Sequence, residues 1–130
     1  MNVRQESTSL SRRSKPKTMI DELKPNEVFV FGSNLDGQHA GGAAKLAHEK
    51  FGAQWGIGVG LQGNSYAIPT MDGWFRLEFY AKQFLFFAQL NPEFTFLLTP
   101  IGTGIAGYTY EDIEPLFKDL PNNVQKVGWV

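Results

Sequence analysis

The chain contains no cysteine, which excludes disulfide bonds, thiolate metal sites and a cysteine nucleophile. No stretch reaches the roughly 18 consecutive apolar residues that a membrane-spanning helix needs, and the first residues lack the apolar segment of a secretion signal. We therefore expect a cytoplasmic protein that does not contact membranes. Only two histidines are present, without a carboxylate pair to match them, so we expect neither a metal site nor a cofactor.

The chain also lacks a large net charge, but its basic and acidic residues are unevenly distributed. The formal net charge of −1 argues against a chain that binds nucleic acid over its whole surface. Residues 1–17 nevertheless hold five basic residues against Glu6 alone. This Ser-rich, non-periodic segment predicts a disordered basic tail over residues 1–20. Its alternative role is a weak contact with nucleic acid or an acidic partner.

The remaining residues, 21–130, have the composition of one compact domain. Hydrophobic residues make up 42% of the chain, which is enough for a core without disulfides. Apolar runs at 28–32, 65–70 and 94–102 predict buried strands, and 124–130 predicts a last short one. Residues 41–51, 76–90 and 109–118 have apolar positions at helical spacing or capping signals. Strands that alternate with helices predict an α/β domain with a mostly parallel or mixed sheet.

Two glycine-rich loops, 32–42 and 101–108, follow the ends of the two best strands. In parallel sheets, ligands bind outside the carboxyl ends of the strands, and glycine lets backbone amides approach an anion closely. Two such loops side by side predict a diphosphate site. The alternative is a pair of tight turns that pack small residues against the sheet. Neither loop has the Gly-Lys-Ser/Thr ending of a P-loop, and GTGIAG at 102–107 lies too late in the chain for a dinucleotide fingerprint.

These motifs resemble those of the macrodomain family. FGSN followed by a GG turn into a helix, and a later strand that ends in PIGTGIAGY, are typical of that fold. The blocks FVFGSNLDGQHAGGAAKLA, GVGLQGNSYAIPT and TPIGTGIAGY are closest to a group of small, uncharacterised macro-like proteins of bacteria and phages. The resemblance covers about residues 25–120. It implies a three-layer α/β/α macro-like domain that binds ADP-ribose or a related nucleotide.

The resemblance also implies which residues contact the ligand. The first loop is expected to hold the distal ribose and one side of the diphosphate, and the second loop the other side. Tyr108 is expected to stack against the distal ribose. The implied ligand-binding residues are Gly32, Ser33, Asn34, Gly41, Gly42, Ala43, Gly102, Thr103, Gly104, Ile105, Ala106, Gly107 and Tyr108.

A second hypothesis is an ADP-ribosyl hydrolase that acts on ADP-ribosylated protein or nucleic acid. The acids that catalytic macrodomains carry are replaced here by Ala44 and Ala106, and a lysine by Met71, although Asp72 is adjacent. The remaining candidates for catalysis are Asn34, Asp36 and His39. Against them, Asp-Gly is an ordinary turn signal, and the position of His39 favours an exposed loop residue. His48 is expected at the surface of its helix.

A third hypothesis is a non-catalytic interaction module. It would use the basic tail together with Trp74, Phe75 and Trp129, although such aromatic residues more often pack in a core or at its edge. The sequence leaves the oligomeric state open.

Overall fold

The computed structural model describes residues 20–129, so most of the predicted basic tail, residues 1–19, lies outside the described part. Five strands run over Glu27–Ser33 (β1), Gly60–Gln62 (β2), Ser65–Pro69 (β3), Thr95–Leu98 (β4) and Val124–Lys126 (β5). The helices are Gly42–Lys50 (α1), Trp74–Leu90 (α2) and Tyr110–Ile113 (α3), and a 3₁₀ turn follows at Glu114–Phe117. No helix among residues 20–129 is long and apolar enough to cross a membrane.

The strands form one mixed sheet in the order β2-β3-β1-β4-β5. The four strands β3, β1, β4 and β5 are parallel, and β2 is antiparallel to β3. At the centre, Val30 lies opposite Tyr66 on one side and Leu98 on the other. The predicted α/β class with a mixed sheet is confirmed.

Both faces of β1 are buried, as its continuous apolar run predicts. Side chains alternate along a strand, so Val28 and Val30 join the cluster that includes α2, while Phe29 and Phe31 join the cluster that includes α1. The larger cluster is rich in aromatic rings, and the Tyr66 ring lies 5.1 Å from that of Phe84. Burial raises the pKa of Tyr66 to about 12.

The helix boundaries follow local signals. Gly52, with φ +86°, comes directly after Phe51, the C-cap of α1, and ends the helix as predicted. Helix α2 begins at Trp74, two residues before the predicted start. Thr109 and Asp112 form the predicted capping box at the start of α3. The α-helical geometry ends after one turn and becomes 3₁₀ at Pro115, whose ring nitrogen has no hydrogen to donate.

Candidate functional site

Three chain segments meet at the carboxyl edge of the sheet, directly after β1, β3 and β4. Strand β1 lies between the other two, so the first glycine-rich loop is in the middle. A Cβ added to Gly32 would lie 3.2 Å from the Thr70 side chain and 3.5 Å from the Gly102 nitrogen. The two glycine-rich loops are therefore neighbours, as the parallel topology predicts.

The first half of the first loop is packed tightly against the segment 53–59. A Cβ on Gly37 would overlap the backbone of Gly56, and one on Gly58 would overlap the carbonyl oxygen of Asn34. The Gly56 amide donates to the Gly37 carbonyl over 2.9 Å, and the buried Ser33 hydroxyl donates to the Gly58 carbonyl. In this half of the loop, glycine is needed because a side chain would collide with the neighbouring backbone.

Asn34 and His39 both hold the loop in place. The Asn34 side chain accepts from the Gln38 amide over 2.9 Å and donates to the Gln38 carbonyl over 3.1 Å. His39 is only 1% exposed. Its Nε2 lies 2.9 Å from the Gln54 carbonyl oxygen and 3.1 Å from that of Ile57, so this nitrogen carries the proton. The reading of His39 as an exposed loop residue is wrong, because its ring is covered by the segment 53–59.

The two aspartates near this loop differ in environment. Asp36 is exposed at the tip of the loop, beside the packed Gly37. Asp72 follows β3, and its carboxylate accepts from the Leu35 amide over 2.9 Å. It therefore ties the segment after β3 to the first loop. The sequence did not indicate this contact, because it joins residues 37 positions apart.

The second half of the first loop is open. A Cβ at Gly41 or Gly42 would meet no atom within 4 Å. Gly41 is the N-cap of α1 in an extended conformation, with φ −155°, and no side chain caps the helix. The first helical bond inside α1 runs from the Lys45 amide to the Gly41 carbonyl. The amides of residues 42–44 thus have no acceptor among the described residues.

The second loop combines a packed base with an open tip. Gly102, with φ +78°, lies under Ile113, and its carbonyl accepts from the Tyr108 amide over 2.9 Å. Gly104 and Gly107 both face open space, and Ile105 is 93% exposed. At the tip, the amides of residues 104–106 have no acceptor in the described part of the chain.

Helix α3 adds less to the second loop than its sequence predicts. It is one turn long, and its capping box already uses the amides of Thr109 and Asp112. The helical signals over 109–118 thus correspond to one α-helical turn, Tyr110–Ile113, and the 3₁₀ turn that follows it. The available donors are chiefly those of the loop itself.

An aromatic pair forms one side of this edge. The rings of Trp74 and Tyr108 lie 5.3 Å apart in an edge-to-face arrangement, and Trp74 is 38% exposed. Trp129, by contrast, is partly buried and donates to the Leu98 carbonyl over 2.8 Å. No local pattern predicts the contact between Trp74 and Tyr108, because the two residues are 34 positions apart.

The structure also locates three other residues that the sequence analysis named. His48 is exposed on α1, as predicted, and its Nδ1 lies 2.7 Å from the Ala53 carbonyl oxygen. Ala44 is buried against the sheet, and Met71 is exposed after β3. Among residues 20–129, no group of three or more His, Asp or Glu side chains could hold a metal ion.

Comparison with protein-family models, with curated proteins and with solved structures finds no significant match to this chain. The site therefore rests on its own geometry and on the motifs of the sequence.

Proposed function

We propose that this protein binds ADP-ribose or a related ADP-ribose-derived nucleotide, with the diphosphate between its two glycine-rich loops. The observation that carries the proposal is the location of its open glycines. Gly41, Gly42, Gly104 and Gly107 all face empty space, and they lie on two loops that leave adjacent parallel strands. Gly42 and Gly107 have the positive φ that a turn can require, but Gly41 and Gly104 have neither a positive φ nor a neighbouring atom that excludes a side chain.

The chemistry of these loops suits an anion held by amides. Residues 33–44 and 101–109 contain no lysine or arginine. The first turn of α1 supplies unpaired amides and the positive end of a helix dipole, and the tip of the second loop supplies further amides. Donors from two sides match a diphosphate better than a single phosphate, because two linked anionic groups span the space between the loops.

A nucleotide, rather than free pyrophosphate, is favoured by the aromatic pair and by the sequence motifs. Trp74 and Tyr108 offer exposed ring surface beside the second loop, where a ribose or a base can stack. The order and spacing of FGSN, GG and GTGIAGY resemble the ADP-ribose loops of macrodomains. Under this proposal the α/β domain has the three-layer macro-like arrangement, with α1 on one side of the sheet and α2 on the other.

Binding is favoured over hydrolysis by the state of the candidate catalytic side chains. Both ends of the Asn34 amide are engaged by Gln38, and His39 is buried with its Nε2 bonded. Asp36 alone has an exposed functional group. A general base must reach the water it activates, so this arrangement supports a protein that holds the nucleotide without cleaving it.

The proposal is tested by calorimetric titration of the full chain with ADP-ribose, with Gly41→Val as the key variant. Gly41 has an extended φ and open space around its Cβ position, so valine fits the fold and fills the ligand space. We expect at least about a tenfold loss of affinity, or about 1.4 kcal/mol. Gln125→Val, on the exposed side of β5, is the control and should bind normally. Absence of both heat and a thermal shift for the unaltered chain at about 1 mM ligand would reject the proposal.

A further inference from the structure

Helix α2 is apolar on two opposite sides. Its inner side packs against the sheet with four fully buried side chains: Leu77, Ala81, Phe84 and Ala88. Its outer side carries four exposed ones, which we call the outer stripe: Phe75 (86% exposed), Phe79 (61%), Phe86 (63%) and Leu90 (63%). At about 100° per residue, the two sets point in opposite directions. Among residues 20–129, the aromatic neighbour of the outer stripe is Tyr80 of the same helix, whose ring lies 5.0 Å from that of Phe79.

The outer stripe is large enough to form an interface. A fully buried aromatic side chain covers roughly 150–250 Å². Four side chains that are more than half exposed thus present roughly 500 Å² of apolar surface, which is the size of the largest and often functional patch on a typical monomer. With the flanking polar residues, the area approaches the roughly 800 Å² per partner of a standard stable interface.

The spacing of the outer stripe is self-complementary. Its members are separated by four, seven and four positions, a pattern that reads the same in both directions. When a second α2 lies antiparallel, Phe75 meets Leu90 of the second copy and Phe79 meets Phe86 of the second copy. Lys82 and Gln83 flank the two-fold axis, where their long side chains reach solvent. An isologous interface requires this kind of symmetry.

The ends of α2 are complementary in shape and charge as well. A groove of about 720 Å³ at the N-terminal end, lined by residues 72–76 with Phe79 and Tyr80, provides space for Leu90 of the second copy. The last turn of α2 holds no basic residue to balance its partial negative charge, and Glu93 follows it. In the antiparallel pair, Arg76 lies near this acidic end of the second copy.

The protein's own N-terminal segment is a poorer occupant. Ile20 and Leu23 pack against the cluster on the α1 side of the sheet, opposite α2. The segment before them is dominated by serine and basic residues, which cannot replace apolar contacts. We therefore propose that the outer stripe is the interface of a two-fold, antiparallel dimer of this chain. This inference does not rest on nucleotide binding, although Trp74 lines the groove and also belongs to the proposed nucleotide site.

The proposal is tested first by sedimentation of the full chain over a dilution series. We expect a species of twice the chain mass that dissociates on dilution, and a monomer for Phe79→Lys at every concentration. Since Phe79 is exposed, its replacement should leave the circular dichroism spectrum unchanged. Leu61→Lys, at an exposed apolar residue of the edge strand β2 outside the outer stripe, is the matched control and should remain dimeric. A monomer for the unaltered chain, including one that binds lipid vesicles instead, overturns the proposal.

The orientation is tested with single thiols, because the chain has no cysteine of its own. In the antiparallel pair, Lys82→Cys lies beside its own copy and should form a disulfide-linked dimer under oxidation. Leu90→Cys lies far from its copy, by about 20 Å along the helix, and should remain uncoupled. Efficient coupling of Leu90→Cys, or none of Lys82→Cys, overturns the antiparallel arrangement.

Discussion

Gly58 and Gly41 both belong to the glycine-rich surroundings of the first loop, but they face opposite environments. At Gly58 an added Cβ would overlap the Asn34 carbonyl oxygen and lie 2.9 Å from that of Leu35. At Gly41 it would meet nothing within 4 Å. One glycine is required by the fold, whereas the other leaves space that the fold does not use. The two sequence-based interpretations of these loops, tight packing and ligand binding, therefore apply to different halves of the same loop.

The largest effect that distinguishes the two halves is expected from Gly58→Ala. The new methyl group cannot avoid the backbone of the first loop, so we expect a loss of about 3 kcal/mol in the free energy of unfolding. Urea denaturation of the full chain measures it. Gly104→Ala, at an open position, is the matched control and should change stability by less than about 0.5 kcal/mol. Equal losses for the two variants would abolish the distinction between packed and open glycines.

A somewhat smaller effect is expected at His39, which belongs to the packed half. His39→Ala removes the Nε2 donor from two carbonyl groups and leaves a cavity beside Phe31, so we expect a loss of about 2 kcal/mol. His39→Gln, whose amide can donate at a similar position, should recover about half of that loss. The folded fraction of either variant should bind ADP-ribose normally. A variant with normal stability and lost binding would place His39 in the ligand site instead.

Local patterns predicted much of this molecule. The apolar run of β1, the apolar spacing of α2 and the capping box at Thr109 each identified an element correctly, because each signal lies within a few residues. The parallel topology then brought the two loops together. The outer stripe of α2 was not predicted, because its first residue, Phe75, precedes the predicted start of the helix at residue 76.

The details of the site depend on contacts between distant residues. The segment 53–59 covers the first half of the first loop, where it packs against Gly37 and buries His39. The pairing of Trp74 with Tyr108 joins two elements that no local pattern connects. Such contacts arise only when the chain is assembled, so the sequence could indicate the loops but not the role of each residue within them.

A modest effect is expected at Asp72, which links the segment after β3 to the packed half of the first loop. Asp72→Ala leaves the Leu35 amide without its carboxylate acceptor, so we expect a loss of about 1 kcal/mol of stability. Asp72→Asn keeps an acceptor oxygen and should lose less than half as much. Thermal unfolding of both variants measures the difference. If both variants lose the same stability, the carboxylate does not act through its hydrogen bond to the Leu35 amide.

The smallest effect on stability is expected at Asp36. A substitution there distinguishes a protein that only binds the nucleotide from one that hydrolyses it. The side chain is exposed at the tip of the first loop, so Asp36→Ala should change the free energy of unfolding by less than about 0.5 kcal/mol. Affinity for ADP-ribose should also stay within about twofold, because the proposed donors are amides of the open half and of the second loop. Incubation with an ADP-ribosylated protein and with an ADP-ribosylated nucleic acid completes the test. If the protein only binds the nucleotide, both modifications stay intact whether or not Asp36 is present. If the unaltered chain releases ADP-ribose and Asp36→Ala does not, this carboxylate is catalytic and the protein is a hydrolase.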